Sequence, residues 1–347
     1  MYSPSFSICI PNYNYGKYIG KTIESVLKQE YGNFEIIISD NCSNDNSLEV
    51  IESFNDHRLK LVKNKYNIGY SGNLTRVTSL AKNDFIIFLP SDDLLKEGAL
   101  KNCSLILSKY QNELNNLIIS FQTETINHNN EIIFSSVHNQ PYYHRHTNKF
   151  TLKEINSECF EYHGKDIHRK MLEKIQMPFP IQSMIFSREL FDRGGGAYAP
   201  RLIGPDKFLC LKLLSFNPKV ICVEKPFAFF NYHGSPMAQA QLSTLKQQID
   251  DYMYTIENSI KDFSNYGINK KTVIKEFLNN RCIKVGLTQL VHGTYAQAFK
   301  IFCFCLASYP KETIFRARAW VLLILLMLGP FAKILSIPLY HFYKKLN

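Results

Sequence analysis

The stretch that decides the fold is FIIFLPSDDLL, which runs from Phe85 to Leu95. Its first five residues are apolar and lead directly into Pro90-Ser91-Asp92-Asp93. A continuous apolar run of this length is typical of a strand that is buried on both faces, as in a parallel sheet. Parallel sheets bind ligands just beyond the carboxyl ends of their strands, so the polar residues after this strand are candidates for a binding site.

Two adjacent carboxylates, Asp92 and Asp93, follow the predicted strand. Like charges this close repel each other unless a cation lies between them. Hard divalent cations prefer oxygen ligands, and Mg²⁺ commonly binds one or two carboxylates together with substrate phosphates. The stretch therefore predicts a metal–diphosphate site. The alternative is a solvated turn in which the Asp pair caps a following helix, expected over Glu97–Tyr110.

The composition indicates a globular protein with an acidic partner. The 347 residues, 45% hydrophobic and 20% charged, allow about two domains. A formal net charge of +10 favours nucleic acid, anionic lipid or a phosphorylated substrate. No nucleic-acid-binding motif accompanies that charge, so we expect no nucleic-acid partner. The nine cysteines lack metal or redox spacing, and the N-terminus predicts no secretory signal, which together favour a cytoplasmic protein.

Strands and helices alternate over residues 1–95. Apolar runs at Phe6–Ile10, Phe34–Ser39 and Leu59–Val62 precede the run at Phe85, and stretches with helical periodicity separate them. This alternation predicts an α/β fold with a mainly parallel, twisted sheet flanked by helices. Because each polar loop follows the carboxyl end of a strand, these loops should meet at one edge of the sheet.

Six stretches, taken in order, carry a family resemblance. They are SICIPNYN (Ser7–Asn14), EIIISDNCSNDNS (Glu35–Ser47), NIGYSGN (Asn67–Asn73), FIIFLPSDDLL (Phe85–Leu95), GPDKFLCLKL (Gly204–Leu213) and YHGSPM (Tyr232–Met237). Their order and spacing resemble the inverting, nucleotide-sugar-dependent glycosyltransferases of family 2, which have the GT-A fold. The resemblance implies a GT-A domain over 1–240, with a nucleotide-sugar half (1–95) and an acceptor half (96–240). A helical C-terminal region is expected over 241–347.

The resemblance implies a donor site in the loops after the strands. It assigns the nucleotide-sugar to Pro11, Tyr13, Asp40, Asn67, Asn73, Ser91 and Asp92. An aromatic ring suits a nucleobase, and a carboxylate can accept the N–H of a uracil-like ring, which favours a UDP-sugar. Gly72 stands where many members carry Arg, so Lys65 or Arg76 would have to supply that cation. Asn67 is equally suited to an ordinary turn, and for Asp45 we favour a helix cap over a ligand contact.

The resemblance also implies a divalent metal, Mn²⁺ or Mg²⁺, held by Asp93, Asp92 and His233. Many members have another Asp where this chain has Pro90, so Asp93 should carry most of the metal contact. Oxygen ligands suit either ion, and the metal would neutralise charge on the departing diphosphate. His233 is equally plausible as an ordinary polar residue.

Asp206 matches the family's catalytic Asp, which usually follows a Glu; here Pro205 precedes it. The resemblance implies that this carboxylate takes the proton from an acceptor hydroxyl as that hydroxyl attacks the anomeric carbon. A structural alternative exists, because Pro and Asp both suit the first turn of a helix.

The C-terminal tail combines apolar and basic residues over 315–345. Its uninterrupted apolar stretch, Ala319–Ala332, is shorter than the ~20 residues that a spanning helix needs. Basic residues flank both ends, which favours helices that lie in a membrane surface. A buried C-terminal helix and a kinked spanning helix are the alternatives.

Together these features predict an enzyme of surface-polysaccharide biosynthesis, such as that of O-antigen or capsule. It would transfer a sugar, probably UDP-linked, to a hydroxyl of a glycan or a lipid-linked oligosaccharide. We expect it on the inner face of the cytoplasmic membrane as a peripheral protein. The competing hypothesis is a non-catalytic protein that binds nucleotide-sugars or glycans on the same fold.

Overall fold

The structure is a computed structural model of the chain. It describes residues 3–127, 129, 131–135, 147–174, 179–196, 205–232, 254, 269–283, 286–287, 289–290 and 295–329. Backbone contacts divide the chain into two compact units. The first comprises Met1–His168 and Met177–Gln247, and the second comprises Arg169–Gln176 and Gln248–Asn347. The expected domain boundary at residue 240 stays a prediction.

The N-terminal half of the first unit is built from parallel strands joined by helices. The strands are β1 (Phe6–Asn12), β2 (Phe34–Asp40), β3 (Leu59–Lys63) and β4 (Phe85–Phe88), and the helices are α1 (Gly16–Leu27), α2 (Ser47–Glu52) and α3 (Gly69–Ser79). The spatial order is β3-β2-β1-β4 and every neighbouring pair is parallel. All four residues of β4 are buried, which confirms the prediction from its apolar run.

The rest of the sheet is mixed. It contains β5 (Leu94–Leu95), β6 (Leu117–Ile126), β7 (Ile132–Ser135), β8 (Asn148–Leu152), β9 (Ser157–His163), β10 (Met184–Ser187) and β11 (Lys219–Asn231). Strand β10 lies between β4 and β6 and is antiparallel to both, whereas β11 is parallel to β6. The helices of this half are α4 (Ala99–Leu107), α6 (Arg188–Arg193), α7 (Pro205–Ser215) and the start of α5 (Gly164–Lys174), whose residues from Arg169 onward belong to the second unit. The predicted α/β fold with flanking helices is confirmed.

The carboxyl ends of β1, β2 and β4 lie at one edge of the sheet, which we call the carboxyl edge. Asn12 pairs with Asp40 at the ends of β1 and β2, and Cys9 pairs with Phe88 in β4. Strand β10 is antiparallel to both β4 and β6, so β4 and β6 run in the same direction. The carboxyl end of β6 therefore lies at this edge too. The fold therefore brings together loops that are far apart in the sequence.

The second unit is helical in the part that the structure describes. Its helices are α8 (Lys270–Phe277), continued by a π-helical turn (Leu278–Ile283), then α9 (Tyr295–Ser308), α10 (Pro310–Ile314) and α11 (Ala317–Met327). The Tyr295 hydroxyl donates to the Leu326 carbonyl at 2.6 Å, which ties α9 to α11. Among the helices described, none combines the length and the apolar character needed to cross a bilayer.

Helix α11 is apolar on two faces. One face is buried, and its residues are Ala319, Leu322, Leu325 and Leu326. The other face is exposed, and its residues are Trp320, Val321, Ile324 and Met327; Leu328, directly after the helix, is exposed as well. The spacing of the exposed residues follows a helical repeat, so they form one continuous stripe rather than scattered exposures. An apolar stripe of this kind marks an interaction surface.

One carboxylate joins the starts of two helices. Asp45 accepts hydrogen bonds from the backbone N–H of Gly16, at the start of α1, and from that of Ser47, at the start of α2, at 2.8 and 3.0 Å. Burial acts to raise the pKa of Asp45, but the hydrogen bonds from Ser47 and Gly16 hold it below its usual value. This confirms the structural role predicted for Asp45. A Cβ on Gly16 would lie 2.0 Å from Asn46 Oδ1, so this junction requires glycine.

Replacing Gly16 should therefore loosen the junction. We expect Gly16→Ala to lower the free energy of unfolding by about 1–3 kcal/mol, because the backbone must shift to admit the methyl group. Urea denaturation measures the change. Gly32→Ala is the matched control, since a Cβ there meets nothing within 4 Å. It should stay within about 0.5 kcal/mol of the parent or gain slightly. Equal stability of the two variants would contradict the tight approach at Gly16.

Candidate active site

The loop after β2 is organised by Asp40, a candidate donor-site residue. Only 1% of Asp40 is exposed. Its Oδ1 accepts from Asn12 Nδ2 at 2.8 Å and from Ser43 Oγ at 2.6 Å, and its Oδ2 accepts from the Ser43 N–H at 3.0 Å. Cys42 within this turn has φ 63°, a left-handed conformation that favours glycine. The carboxylate thus orders its own loop, and Oδ2 keeps a lone pair for a further donor.

A network of four asparagines fixes the start of α3 at the carboxyl edge. Asn41 donates from Nδ2 to Asn67 Oδ1 at 2.8 Å and accepts the Ile68 N–H at 2.9 Å. Asn73, which is 2% exposed, donates from Nδ2 to the Ser39 and Asn12 carbonyls at 2.9 and 3.2 Å.

The fourth member, Asn64, donates to Asn73 Oδ1 at 3.0 Å. The Asn73 amide group thus donates and accepts hydrogen bonds within the protein. Its contacts connect α3 to the ends of β1 and β2. The exposed Asn67 accepts from Asn41 and from the Gly69 N–H, which is the geometry of a turn.

The Asp92–Asp93 pair follows β4 in a tight turn. Asp93 donates its N–H to the Pro90 carbonyl at 3.1 Å, and the Ser91 carbonyl accepts from Thr22 Oγ1 at 2.9 Å. The Asp93 side chain is 1% exposed, and its Oδ1 accepts the Asn231 N–H at 3.0 Å. Burial raises the pKa of Asp93 well above its usual value, and the neighbouring charge of Asp92 raises it further. A buried carboxylate beside a second one favours a bound cation.

The alternative in which the Asp pair caps the next helix is wrong. Strand β5 follows the pair and runs antiparallel to β11. Helix α4 begins at Ala99 instead of Glu97, after Gly98, whose φ of 72° is left-handed. The expected helix over Glu97–Tyr110 ends earlier too, at Leu107, and continues as a 3₁₀ turn. Pairing with β11 thus overrides the helix start that the sequence favours.

Asp206 is the second residue of α7, directly after Pro205. Its side chain is partly buried. Burial raises the pKa of Asp206, and the backbone N–H and the charge of Lys207 oppose this effect only in part. A carboxylate with a raised pKa is a better proton acceptor, as a general base requires.

The sequence analysis missed Tyr70, whose pKa is affected by the charges of these carboxylates. It lies in the first turn of α3. Burial raises the pKa of its hydroxyl, and the charges of Asp206, Asp92 and Asp93 raise it further. The pKa of one hydroxyl is therefore affected by carboxylates from two distant parts of the sequence. In the sequence, Tyr70 could have been identified as an aromatic residue at the start of a helix that follows a strand of the parallel sheet.

The other candidates have these positions. Pro11 is half-buried and lies within β1, where it pairs with Ser39, and the half-buried Tyr13 follows the strand. Lys65 and Arg76, the possible replacements for the missing Arg, are exposed. His233 lies outside the described residues. Within the described ranges, no group of three His, Cys, Asp or Glu residues lies close enough to hold a metal through protein ligands alone. A cation at Asp92 and Asp93 would therefore need further ligands, such as phosphate oxygens and water.

Comparisons with known proteins agree with this architecture. The chain is 35% identical over 127 residues to the UDP-Glc:alpha-D-GlcNAc-diphosphoundecaprenol beta-1,3-glucosyltransferase WfgD of Escherichia coli, covering 37% of this chain and 48% of that protein. It is 30% identical over 113 residues to the poly(ribitol-phosphate) beta-N-acetylglucosaminyltransferase TarS of Staphylococcus aureus strain Mu50, covering 31% and 20% respectively. The matched region thus spans half or less of these relatives.

The crystal structure of S. aureus TarS 1–349 in complex with UDP-GlcNAc superposes with a TM-score of 0.62 at 17% identity, covering 96% of this chain and 89% of that one. This likeness shows a shared GT-A fold. The family described as Glycosyl transferase family 2 matches residues 7–194, which is more than half of the 347-residue chain. The chain therefore belongs to glycosyl transferase family 2.

Proposed function

We propose that this protein is an inverting glycosyltransferase that moves a sugar from a UDP-sugar to a hydroxyl group of a glycan or a lipid-linked oligosaccharide. The observation that carries the proposal is the buried Asp93 carboxylate, next to Asp92 in the turn after β4, where the Asn231 N–H donates to it at 3.0 Å. Carboxylates at this edge can serve both the diphosphate and the acceptor hydroxyl. The names of the relatives, which include transfer to a diphosphoundecaprenol-linked sugar, support this reaction class.

The donor would bind along the loops after β1, β2 and β4. Pro11 and Tyr13 are proposed to line the base, and Asp40 to accept its N–H through Oδ2. Ser91 and Asp92 would meet the ribose and the diphosphate. Asn67 and Asn73 contribute by holding the start of α3 in place, since their side chains already bond within the protein.

Asp92 and Asp93 are suited to hold a divalent cation. The buried Asp93 carboxylate has a raised pKa, and the two carboxylates of the pair offer oxygen ligands, which suit Mn²⁺ or Mg²⁺. His233 is proposed as a further ligand. When bound, the metal would act as a Lewis acid that neutralises charge on the diphosphate leaving group.

Asp206 would act as the general base. Its carboxylate accepts the proton of the acceptor hydroxyl while that oxygen bonds to the anomeric carbon and the bond from this carbon to the UDP oxygen breaks. The proton ends on Asp206 and the electron pair leaves with UDP. A single displacement of this kind inverts the anomeric centre and requires only one base.

We also propose that the second unit binds the inner face of the cytoplasmic membrane through residues 315–345, of which the structure describes those up to 329. The exposed apolar stripe on α11 lies close in sequence to Phe315, which is 84% exposed. The basic residues Arg316 and Arg318 are half-buried, with some of their guanidinium nitrogens buried. Apolar side chains flanked by basic ones suit a surface that carries anionic lipids. Such a location would bring the enzyme to a lipid-linked acceptor.

Removing the proposed base should abolish transfer. Asp206→Asn keeps the shape of the side chain but cannot accept the proton, so we expect UDP release in the presence of Mn²⁺ and acceptor to fall by about 10²–10⁴-fold. The donor should still raise the melting temperature. Asp192→Asn, at an exposed carboxylate that pairs with Arg188, is the matched control and should keep parental activity. An Asp206→Asn protein as active as the parent would refute the assignment.

Asp93→Asn should change the pH dependence of stability. The folded protein holds the Asp93 proton more tightly than the unfolded chain does, so the free energy of unfolding of the metal-free parent decreases as pH rises above about 4. In Asp93→Asn the free energy of unfolding should not decrease in this way as pH rises. The variant should therefore be more stable than the parent at pH 7 and no more stable than the parent near pH 3. It should also lose stabilisation by Mn²⁺.

Urea denaturation between pH 3 and 8 and thermal shifts with Mn²⁺ measure both effects at Asp93. The Asp192→Asn control should follow the parent throughout. A parental response to Mn²⁺ in Asp93→Asn would remove this residue from the metal site.

The stripe on α11 can be tested with vesicles. Ile324 is 56% exposed, so Ile324→Glu should fold normally but weaken sedimentation with anionic vesicles about tenfold or more, because an inserted apolar side chain is replaced by a charge. Ile133→Glu, at a residue 52% exposed in β7, is the control and should bind as the parent does. Parental sedimentation of Ile324→Glu would argue against membrane binding through this face.

A further inference from the structure

A polar cavity lies at the edge of the sheet opposite to the carboxyl edge, where β6 and β11 begin. Its volume is about 590 Å³, which lies within the ~300–1,000 Å³ typical of ligand sites. We propose that this cavity binds a neutral oligosaccharide, as a glycan-binding site separate from the active site. The inference goes beyond the proposed function and does not depend on it.

The strand register sets the distance between this cavity and the candidate active site. Lys219, the first residue of β11, lines the cavity and pairs with Leu117 at the start of β6 and with His163 at the end of β9. Asn231, which donates to Asp93, is the last residue of β11. Because β11 has 13 residues, its two ends lie roughly 35–40 Å apart. A ligand in the cavity is therefore not the sugar that is transferred.

Side-chain amides are the main polar groups of the cavity wall. Gln111, Asn112 and Asn115 line it and are exposed, and in the part of the chain that the structure describes their side chains make no hydrogen bond. An amide group both donates and accepts, as a sugar hydroxyl does. The half-buried Leu114 adds an apolar surface for the C–H groups of a pyranose. The lining therefore matches the mixed polar and apolar surface of a carbohydrate.

The two oppositely charged groups of the lining are paired with each other. Lys219 Nζ donates to Glu113 Oε1 at 2.9 Å and lies 5.3 Å from the centre of the Tyr110 ring. Among the lining residues, all of which the structure describes, no other Lys, Arg, Asp or Glu is present. Without an unpaired ammonium or carboxylate group, the cavity is better suited to a neutral ligand than to a phosphate or a metal ion.

Hydrogen bonds hold the cavity wall in place before a ligand binds. Residues Leu114–Asn116 form a 3₁₀ turn. Within it, the Asn115 carbonyl accepts from Ser187 Oγ at 2.8 Å, and Asn116 Nδ2 donates to the Asn217 carbonyl at 3.3 Å. The backbone that carries the amides is therefore ordered in advance, which lowers the entropy that is lost on binding.

Saturation-transfer NMR with the full chain tests the inference. The probes are linear hexamers of glucose, galactose and N-acetylglucosamine, and at least one should bind with a dissociation constant of about 1 mM or lower. The double variant Asn112→Ala with Asn115→Ala should bind that hexamer about tenfold or more weakly, as expected for two lost hydrogen bonds. Its melting temperature should equal that of the parent, because both residues are exposed.

Asn55→Ala is the matched control, since Asn55 is also exposed but lies between α2 and β3, and it should bind as the parent does. Saturating UDP with Mn²⁺ should leave binding of the hexamer to the parent unchanged. Displacement by UDP would overturn the inference, because the oligosaccharide would then lie in the donor site. Parental binding by the double variant would also overturn it, as would the failure of all three hexamers to bind. The assignment of Asp206 is unaffected by any of these results.

Discussion

The buried carboxylate of Asp93 is the constraint on which the carboxyl edge depends. An ionised group in a medium of low polarity is costly unless its oxygens are bonded and its charge is balanced. In the part of the chain that the structure describes, the backbone N–H of Asn231, at the end of β11, donates a hydrogen bond to it. That bond fixes the loop after β4 to a strand that follows about 130 residues later in the chain. The charge of Asp92 beside it raises the pKa of Asp93 further, so this pair of carboxylates is electrostatically unfavourable while both are ionised.

Asparagine side chains hold the remainder of this edge. Asn41 and Asn73 carry no charge, yet each both donates and accepts, and each bonds to backbone groups at the ends of strands or at the start of α3. Asn64 joins the two by donating to their side-chain oxygens. Carboxylates in their place would add further repulsion near Asp40. Uncharged asparagine side chains can therefore hold these loops in place without adding electrostatic repulsion near Asp40.

The sequence was sufficient to predict the four parallel strands, because each is a short apolar run that ends in a polar loop. Asp40, Asp92, Asp93 and Asp206 could also be assigned to one predicted site. That prediction used the rule that ligands bind at the carboxyl ends of parallel strands, together with the family resemblance. It could not predict that Leu94–Leu95 pairs with β11, which moves the start of α4 to Ala99, since that pairing is non-local. Asn231 was missed for the same reason: its role comes from a contact and not from residue type. The exposed stripe on α11 was hidden because a helix that is apolar on both faces has no amphipathic period.

The position of β10 has a consequence for how the chain folds as it is synthesised. Strand β4 has β1 on one side, and its other side is covered only by Met184–Ser187, which leave the ribosome about 100 residues later. Strand β6 likewise lacks β10 for most of this interval. Until then two highly apolar strands present open edges, which are templates for pairing with other chains. Nascent chains of this protein should therefore depend on chaperones during that interval, and truncations that end before residue 184 should aggregate even though they contain every strand of the parallel N-terminal half.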